Sequence, residues 1–326
     1  MKKGTHIAVA ALAVAMTSGA LVQSAGGTGQ AEARSNLTII APAAVGGGWD
    51  GFSRQAQQVL RSDGIVNNVK VVNIPGAGGT IGLSQFVQMD GEETTIMTTG
   101  GVMVGAIELG SSPETLEDVV PLVRLADDYS AVVVPADSPF QDMDDVVEAW
   151  LANPTGLSIS GGSLGSIDHL LTGAIAKDIG LDPKDANYIA YSGGGEALNS
   201  LLSHTTDIGV SGYNEIADQV EAGNLRALAI SSPERIETAP DLPTLKETGI
   251  NVTMSNWRGF LAPPGISDEA KEQLLEIIAD LHASSEWQEA VVRNSWTDSY
   301  MVGEELEEFI AQETEIVADL VSDLGL

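Results

Sequence analysis

Short apolar runs that end in glycine-rich turns recur along this chain. Residues 37–40 form a β-branched apolar run, which predicts a buried strand. Three glycines follow at 46–48, and residues 52–60 then carry apolar side chains at helical spacing. Glycine lets the backbone turn sharply and leaves its N–H groups uncovered. We therefore predict a strand, a bare turn and a helix that Asp50 caps.

This arrangement occurs four times, in two matched pairs. The glycine turns of the first pair lie at 46–48 and 76–79, and those of the second pair lie at 161–166 and 193–195. The first glycines are 30 residues apart in the first pair (46 to 76) and 32 residues apart in the second pair (161 to 193). A βαβ layout used twice predicts two similar α/β lobes.

The turns are candidates for anion binding. Free N–H groups and the positive end of a helix dipole converge where a glycine turn opens a helix. Ligands of open α/β sheets bind at the carboxyl ends of the strands, where all four turns fall. A fifth polar strand end follows the strand predicted at 94–98 and includes Thr99. We predict that a small molecule binds between the lobes; the alternative is that the glycines only make the bends.

Two crossings join the predicted lobes. Strands are predicted at residues 119–125 and 131–135, and the second is expected to carry the chain into the other lobe. The strand predicted at 225–230 ends near Ser232, and a proline-rich segment follows it. We therefore predict a hinge at the crossings near Ala131 and Ser232. An ordinary surface connector is the alternative for the proline-rich segment.

These crossings define the expected domains. Residues 36–130 together with 236–326 should form lobe one, and residues 131–235 should form lobe two. Helices are predicted at 268–282 and 304–324 from their apolar stripes. We expect both C-terminal helices to pack against lobe one.

Composition narrows the class of partner. The chain has 326 residues, which is enough for two lobes with cores of their own, and a formal net charge of −31. A nucleic-acid partner would require a basic face, whereas so acidic a surface favours a soluble monomer. The absence of cysteine excludes disulfides, thiolate metal sites and lipid-modified cysteine. The four histidines show no metal-binding spacing, so we expect neither a metal nor a cofactor.

The N-terminus has the pattern of an export signal. Two lysines open the chain, an apolar core covers residues 7–16, and a small-x-small cleavage site lies at 31–33. The apolar core is shorter than the ~20 residues needed to span a membrane. We expect residues 1–33 to be a signal peptide and Arg34 to open the exported chain. Cleavage at a second such site, at 18–20, is the alternative.

Seven segments give the chain a family resemblance. It resembles the substrate-binding proteins of tripartite tricarboxylate transporters over nearly all of the predicted mature chain. The segments are PAAVGGGWD at 42–50, PGAGGTIG at 75–82, GGSLGSIDHL at 161–170, YSGGGEAL at 191–198, GNLRALA at 223–229, PTLKETG at 243–249 and NWRGFLAPPG at 256–265. Each segment alone is loose, but all seven in order are specific.

The resemblance implies a fold and a function. The fold would be the two-lobed α/β fold of type II periplasmic-binding proteins (the Venus-flytrap fold), with a hinge and an interlobe cleft. The function would be that of a periplasmic receptor. Such a receptor captures a small carboxylate, with a citrate-like di- or tricarboxylate as the leading candidate. It would then deliver this ligand to the large and small membrane subunits of the transporter.

The resemblance also suggests how the ligand is held. In the family, the two glycine loops of lobe one cradle a carboxylate through backbone N–H groups and bridging waters. This chain departs from the family pattern at Ala44-Val45, where Gly-Pro is usual, and at Ser192, where lysine is frequent. The predicted ligand-binding residues lie in the four turns and at the Thr99 strand end. They are Val45, Gly46, Gly47, Gly48, Trp49, Gly76, Ala77, Gly78, Gly79, Thr80, Thr99, Ser163, Leu164, Gly165, Ser166, Tyr191, Ser192 and Gly193.

A secreted serine hydrolase is the alternative function. Gly161-x-Ser163-x-Gly165 matches a nucleophile elbow between a strand and a helix. A triad would then draw on Asp207 with either His204 or His282. The receptor interpretation is favoured, because similar glycine turns recur where no nucleophile is present.

Several side chains near the turns have competing interpretations. Asp50 and Arg54 are four residues apart on a predicted helix, and we expect an ion pair between them rather than ligand contacts. His169 is expected to serve helix structure rather than a metal. Trp49 and Trp257 could each line the cleft or lie in the core, and the sequence leaves both possibilities open.

Overall fold

The computed structural model describes residues 33–110, 112–191 and 194–326 of the chain. The predicted signal peptide lies outside these residues except for its last position, Ala33. The described residues form two α/β lobes on one continuous curled sheet of ten strands. Among them, no helix is both long and apolar enough to cross a membrane.

Lobe one contains the first three strands and the C-terminal elements. Its strands are β1 (Asn36–Ala41), β2 (Asn68–Asn73), β3 (Thr95–Gly100), the first part of β4 (Val120–Pro135), β9 (Ser255–Ala262) and β10 (Thr297–Met301). Its helices are α1 (Gly48–Ser62), α2 (Thr80–Val87), α3 (Gly101–Glu108), α8 (Asp268–Ala283), α9 (Ser285–Arg293) and α10 (Gly303–Leu324). The strand order is β2-β1-β3-β9-β4, with β1 parallel to β2 and β3 and with β9 antiparallel to both of its neighbours.

Lobe two repeats the parallel βαβ layout. Its strands are the second part of β4, β5 (Ser158–Gly161), β6 (Asn187–Ala190), β7 (Ile208–Gly212) and β8 (Leu225–Ile230). Its helices are α4 (Met143–Ala152), α5 (Ile167–Asp178), α6 (Gly194–Leu202) and α7 (Tyr213–Glu221). The strand order is β4-β7-β5-β6, with β5 parallel to both neighbours, and β8 also pairs with β4. Four short 3₁₀ turns complete the structure, at Ala77–Gly79, Leu116–Asp118, Pro183–Asp185 and Lys246–Thr248.

Most predicted elements are confirmed, because their apolar runs are buried. The strands predicted at 37–40 and 225–230 correspond to β1 and β8 within about one residue at each end. Ser267 caps α8, since its side chain accepts a hydrogen bond from the Ala270 amide. The apolar pattern did not predict β7, β10, α3, α7 or α9.

Strand β4 corrects the prediction of two separate strands. It is one strand of 16 residues, in which residues 120–129 pair with β9 and residues 130–135 pair with β7 and β8. The polar residues in its middle have hydrogen-bond partners both within β4 and on β10, where the Ser299 hydroxyl donates to Asp127 Oδ1 at 3.0 Å. The Asp127 carboxylate accepts hydrogen bonds from Arg124 and from the Tyr129 hydroxyl at 3.0 Å. The polar stretch therefore continues the strand instead of breaking it.

The second crossing lies directly beside the first. The Ser231 amide donates to the Ser130 carbonyl at 2.9 Å, and the Ser130 amide donates to the Ser231 hydroxyl at 3.2 Å. The same hydroxyl donates to the Met254 carbonyl at 2.6 Å, and Ser231 is 0% exposed. The chain therefore passes between the lobes through two hydrogen-bonded segments.

The last helix corrects a second prediction. Helix α8 packs on lobe one as expected, and the unpredicted helix α9 packs there too, so that the pair lies against β4 and α1. Helix α10 instead packs on α3 of lobe one and on α5 of lobe two. Its Phe309 ring meets Trp257 edge to face at 5.5 Å, and its Asp323 pairs with Lys177 of α5 at 2.5 Å. A buried stripe from Leu306 to Leu324 runs along this helix, so α10 forms a third bridge between the lobes.

We expect Ser231→Ala to destabilise the fold by about 1–3 kcal/mol, because it leaves a buried amide and a buried carbonyl without their side-chain partner. Urea unfolding followed by circular dichroism measures this loss. Ser322→Ala, on the exposed face of α10, is the control and should stay within about 0.5 kcal/mol of wild type. Equal stability of the two variants would contradict the role assigned to Ser231.

Candidate functional site

The first glycine turn opens α1 in a way that corrects the predicted cap. The helix begins at Gly48, and Gly47 is its N-cap. Asp50 lies inside the first helical turn, where its carboxylate reaches back and accepts a hydrogen bond from the Gly46 amide at 2.8 Å. Gly46 has a φ of +87°, a conformation that glycine adopts without strain. Asp50 therefore closes the turn from within the helix.

The predicted ion pair between Asp50 and Arg54 is confirmed. Arg54 Nε donates to Asp50 Oδ2 at 2.9 Å, and Asn73 Nδ2 donates to Asp50 Oδ1 at 2.8 Å. Burial alone would raise the pKa of Asp50, but hydrogen bonds from Arg54, Gly46 and Asn73 hold it below its usual range. The carboxylate stays ionised, and its charge is compensated locally.

Only part of this turn has open amides, which corrects the prediction of three uncovered glycines. The Gly46 amide is bound to Asp50, and the Gly47 amide donates to the Ala44 carbonyl at 3.0 Å. The first helical hydrogen bond runs from Gly51 to Gly47 at 2.9 Å, so the amides of residues 48–50 lie ahead of it. Such N-terminal amides have no acceptor within their own helix.

A buried arginine lies beside these amides. Arg258 Nη2 is 3.2 Å from the position that a Cβ on Gly48 would occupy. The same atom donates to Asp128 Oδ2 at 2.7 Å, and the two residues are 3% and 1% exposed. Burial raises the pKa of Asp128 to about 7, although the Arg258 charge opposes this rise. The pair joins β9 to β4 where the sheet passes between the lobes.

The second glycine turn packs closely against the first. Gly78 and Gly79 have φ values of +59° and +94°. A Cβ on Gly79 would lie 2.6 Å from the Trp49 ring, and a Cβ on Gly78 would lie 2.5 Å from the Ala106 methyl group of α3. Trp49 is 7% exposed, so it fills the space between the two turns.

The remaining predicted residues of lobe one differ in exposure. Val45 is 75% exposed at the rim of the first turn, and Gly76 and Ala77 open the second turn. Thr80 and Thr99 are each 1% exposed. The Thr80 hydroxyl donates to the Ala77 carbonyl at 2.9 Å, and the Thr99 hydroxyl donates to Met103 Sδ at 3.5 Å.

Trp257 belongs to the core, which answers the question that the sequence left open for it. Its ring is 0% exposed and packs against Phe309. Trp49 differs from it, because its ring touches the backbone of a predicted binding turn.

The third glycine turn, in lobe two, reaches lobe one. The Gly165 carbonyl lies 2.5 Å from the Cβ position of Gly105 in α3. Ser163 and Leu164 are exposed at the tip of the turn, while Gly165 is buried with a φ of +75°. The Ser166 amide donates to the Ser163 carbonyl at 2.9 Å and closes the turn before α5. The second and third turns therefore both pack on α3, and Trp49 joins the first turn to the second.

Two amides of the third turn are occupied by side chains of α5. The Gly162 amide donates to Asp168 Oδ2 at 2.9 Å, and the Gly165 amide donates to His169 Nδ1 at 3.1 Å. The His169 ring stacks on Tyr188 at 4.3 Å. Burial lowers the pKa of His169 to about 4, so the imidazole is neutral and can accept this bond. The expected structural role of His169 is confirmed.

The fourth turn is described only in part. Ser192 and Gly193 lie outside the described residues. The Tyr191 hydroxyl donates to Ser200 Oγ at 2.6 Å. Gly194 opens α6, and a Cβ there would collide with Glu215 Oε2 of α7. An acidic side chain therefore faces this turn.

The sequence analysis gave no role to Asp128, Asp168, Glu215 or Arg258. The adjacent acids Asp127 and Asp128 within a β-branched stretch were an available signal, because an isolated charge is rare in a buried strand. Asp168 and Arg258 lie in segments that carry the family resemblance. Their functions depend on partners far along the chain, which spacing alone does not reveal.

The residues suggested for a hydrolase triad have other partners. Asp207 accepts hydrogen bonds from the Ser158 amide at 2.9 Å and from its hydroxyl at 2.6 Å. His204 faces Asp137 at 3.7 Å, and His282 pairs with Asp298 at 2.9 Å. Among the described residues, neither histidine is hydrogen-bonded to Ser163.

Two further features bear on the chemistry of the site. Within residues 33–110, 112–191 and 194–326, no group of three or more His, Cys, Asp or Glu side chains could hold a metal ion. A groove of about 540 Å³ lies between α3 and α10 and is lined by Val104, Ile107 and Ile310 among others. No described residue of the glycine turns lines this groove.

Comparison with known proteins gives curated relatives of similar length and several similar structures. Protein BugT of Bordetella pertussis is 27% identical over 294 residues, which cover 89% of each chain. A TctC solute-binding protein from Polaromonas superposes with a TM-score of 0.74 at 26% identity, covering 89% of this chain and 99% of that one.

Two further structures share the fold. MatC of Rhodopseudomonas palustris with bound malate has a TM-score of 0.73 at 19% identity and covers 88% of this chain and 99% of its own. Rpa4515 of R. palustris with adipate has a TM-score of 0.76 at 20% identity and covers 89% and 97%. These similarities establish the two-lobed fold of periplasmic solute-binding proteins.

The family follows from the match of the whole folded region. Residues 52–326 match the model of the tripartite tricarboxylate transporter family receptor, TctC. The match includes the second, third and fourth glycine turns, both crossings and all the C-terminal helices. The chain therefore belongs to the TctC family, whose members are periplasmic solute receptors and not enzymes.

Proposed function

We propose that this protein binds a small carboxylate, such as a di- or tricarboxylate, between its two lobes. It then delivers the ligand to the large and small membrane subunits of a tripartite tricarboxylate transporter. The observation that carries this proposal is the open N-terminus of α1 beside the buried Arg258 guanidinium. Family membership supports it, as do the dicarboxylates malate and adipate held by two proteins of the same fold.

A carboxylate at this helix terminus would gain from backbone amides and from charge. A hydrogen bond to a charged group contributes about 1.5–3 kcal/mol, and the helix dipole adds about 0.3–1 kcal/mol. Arg258 adds positive charge, although Asp128 compensates most of it. The eighteen predicted ligand-binding residues remain part of this proposal. Thr99 would have to turn its hydroxyl away from Met103 to take part.

Closure of the lobes would bury the ligand. The crossings at Ser130 and Ser231 are the proposed hinge, with residues 36–130 and 236–326 moving against residues 131–235. Helix α10 packs on both lobes, so closure must slide lobe two along it. Small-angle scattering should then give a smaller radius of gyration with ligand. An unchanged radius with a ligand that raises the melting temperature would contradict closure.

We further propose that the protein works in the periplasm as a monomer. The export pattern at residues 1–33 and the periplasmic location of the family support this location. The net charge of −31 supports a monomer, because like charges oppose self-association.

Gly48→Ala tests the proposed carboxylate position. The new methyl group would lie 3.2 Å from Arg258 Nη2, in the space between the helix terminus and the guanidinium. We expect isothermal calorimetry with malate, adipate and citrate to show at least about tenfold weaker binding for whichever of them binds, equivalent to ~1.4 kcal/mol.

Gly51→Ala is the matched control for this variant. Gly51 lies in the same helix, and a Cβ there would meet nothing within 4 Å. This variant should keep wild-type affinity and gain up to about 1 kcal/mol of stability from helix propensity. Equal affinity of the two variants would contradict carboxylate binding at this terminus.

Ser163→Ala separates a receptor from a hydrolase. As a ligand contact, the exposed Ser163 hydroxyl supplies one hydrogen bond to a charged group, worth about 1.5–3 kcal/mol. Its loss should weaken binding by about one to two decades without changing the fold. The wild-type protein should form no adduct with an active-site phosphonate, as checked by intact mass. A stoichiometric mass increase on Ser163 would overturn the receptor proposal.

A further inference from the structure

The two lobes present opposite charges to the space between them. On lobe one, the open amides of α1 and the Arg258 guanidinium attract an anion. On lobe two, Asp168 and Glu215 carry carboxylates at the third and fourth glycine turns. The same βαβ layout therefore has a different chemistry in each lobe.

The third turn has fewer amides to offer an anion than its glycines suggest. Asp168 and His169 already accept the hydrogen bonds of the Gly162 and Gly165 amides. Asp168 Oδ1 accepts another bond, from the Ser130 hydroxyl at 3.2 Å. The Asp168 carboxylate therefore brings acceptors to this turn, beside the exposed Ser163 hydroxyl at its tip.

The charge of Asp168 has less compensation than that of Asp128. Asp128 is paired with Arg258, whereas the groups that bond to Asp168 are an amide and a hydroxyl, both neutral. Burial raises the pKa of Asp168 to about 7, and the charges of Glu215 and Asp128 act in the same direction. The hydrogen bond from the Gly162 amide opposes this rise. A cation placed here would relieve this repulsion.

A buried hydroxyl beside the acidic side chains has no partner. Ser211 is 5% exposed, and its Oγ has no hydrogen-bond partner within the part of the chain that the structure describes. It lies 3.5 Å from the Cβ position of Gly194, the same position that Glu215 Oε2 crowds. Buried polar groups usually have partners, so an unpaired one indicates a site for a ligand atom.

An ammonium group matches this set of acceptors. It carries a positive charge and three N–H donors, and it needs no coordination geometry. A metal ion fits less well, because the described residues hold no group of three His, Cys, Asp or Glu side chains arranged for one. Glu215 is exposed and Asp168 is partly exposed, so both can be reached from the cleft.

We propose that the ligand carries an ammonium group as well as its carboxylate, and that Asp168, Glu215 and Ser211 of lobe two bind the ammonium. The proposal rests on the receptor function above and narrows its ligand to an amino-substituted carboxylate. An unsubstituted diacid would instead bring a second negative charge against Asp168.

The sign of the pH dependence distinguishes these two ligands. Asp168 faces Asp128 on β4, Glu215 on α7, Arg258 on β9 through Asp128, and Tyr188 on β6. An ammonium requires ionised Asp168, so its affinity should rise as pH rises through about 7. A second carboxylate requires protonated Asp168, so its affinity should fall over the same range.

Two neighbouring groups do not titrate in this range. Burial lowers the pKa of His169 to about 4 and raises the pKa of Tyr188 above its ordinary value. Asp128 also has its pKa raised to about 7, so its ionisation adds negative charge over the same range and changes the affinity in the same direction.

The test is calorimetry with matched pairs of equal carbon number, succinate against aspartate and glutarate against glutamate, at pH 6 and pH 8. We expect the amino compound of at least one pair to bind at least tenfold tighter at pH 8, with its affinity increasing from pH 6. Tighter or equal binding of the unsubstituted diacids would overturn this inference and leave the receptor function intact. No binding by these compounds or by malate, adipate and citrate would overturn the carboxylate receptor itself.

Variants of lobe two locate the effect. Asp168→Asn and Glu215→Gln should each lower the preference for the amino compound by at least tenfold, because they weaken binding of the ammonium and relieve the repulsion of the unsubstituted diacid. Glu221→Gln, at the exposed far end of α7, is the matched control and should keep the preference. Asp168 also closes the third turn, so Asp168→Asn could change ligand preference by disturbing the fold. Glu215→Gln tests the ammonium contact without removing that turn hydrogen bond. An unchanged preference in Glu215→Gln and Asp168→Asn would refute the assignment.

Discussion

Arg258 and Asp128 form an ion pair that is almost wholly buried where the two lobes share their sheet. Burying either charge alone would cost several kcal/mol, so each holds the other in place. The pair ties β9 to β4 at the point where β4 changes its partners. Arg258 also lies against Gly48, so the element that joins the sheets helps to shape the first glycine turn. The architecture of the crossing and the chemistry of the cleft therefore depend on the same two side chains.

The repeated backbone layout does not produce a repeated chemistry. Each lobe places a glycine turn between a strand and a helix, and in both lobes an aspartate of that helix accepts an amide of the turn. Asp50 in lobe one is neutralised by Arg54, whereas Asp168 in lobe two stands near Glu215 and Asp128. One turn is left with a positive character and the other with a negative character. A polar ligand with two different ends is the kind of molecule that such a cleft would orient.

The sequence predicted the strands and glycine turns well, because buried apolar runs and left-handed turn positions are local properties. The continuity of β4 was missed, since Asp127 is stabilised in part by Ser299 of β10, a partner that the local pattern does not contain. The placement of α10 across both lobes could not be predicted from the sequence either, because an apolar stripe does not specify which surface it covers. The charges of the cleft came from residues such as Arg258, whose partner Asp128 lies 130 positions away. The proposed ligand contacts therefore depend more on contacts between residues far apart in the sequence than on the local glycine motifs.

A crystal structure with the tightest-binding small carboxylate would test the central claim, that the ligand is held between oppositely charged lobes. The account predicts a ligand carboxylate within hydrogen-bond distance of the amides of residues 48–50, with the rest of the molecule directed towards Asp168 and Glu215. It also predicts that both lobes contact the ligand. A ligand bound in the groove between α3 and α10, or one whose carboxylate contacts Asp168 while the α1 terminus stays empty, would contradict it.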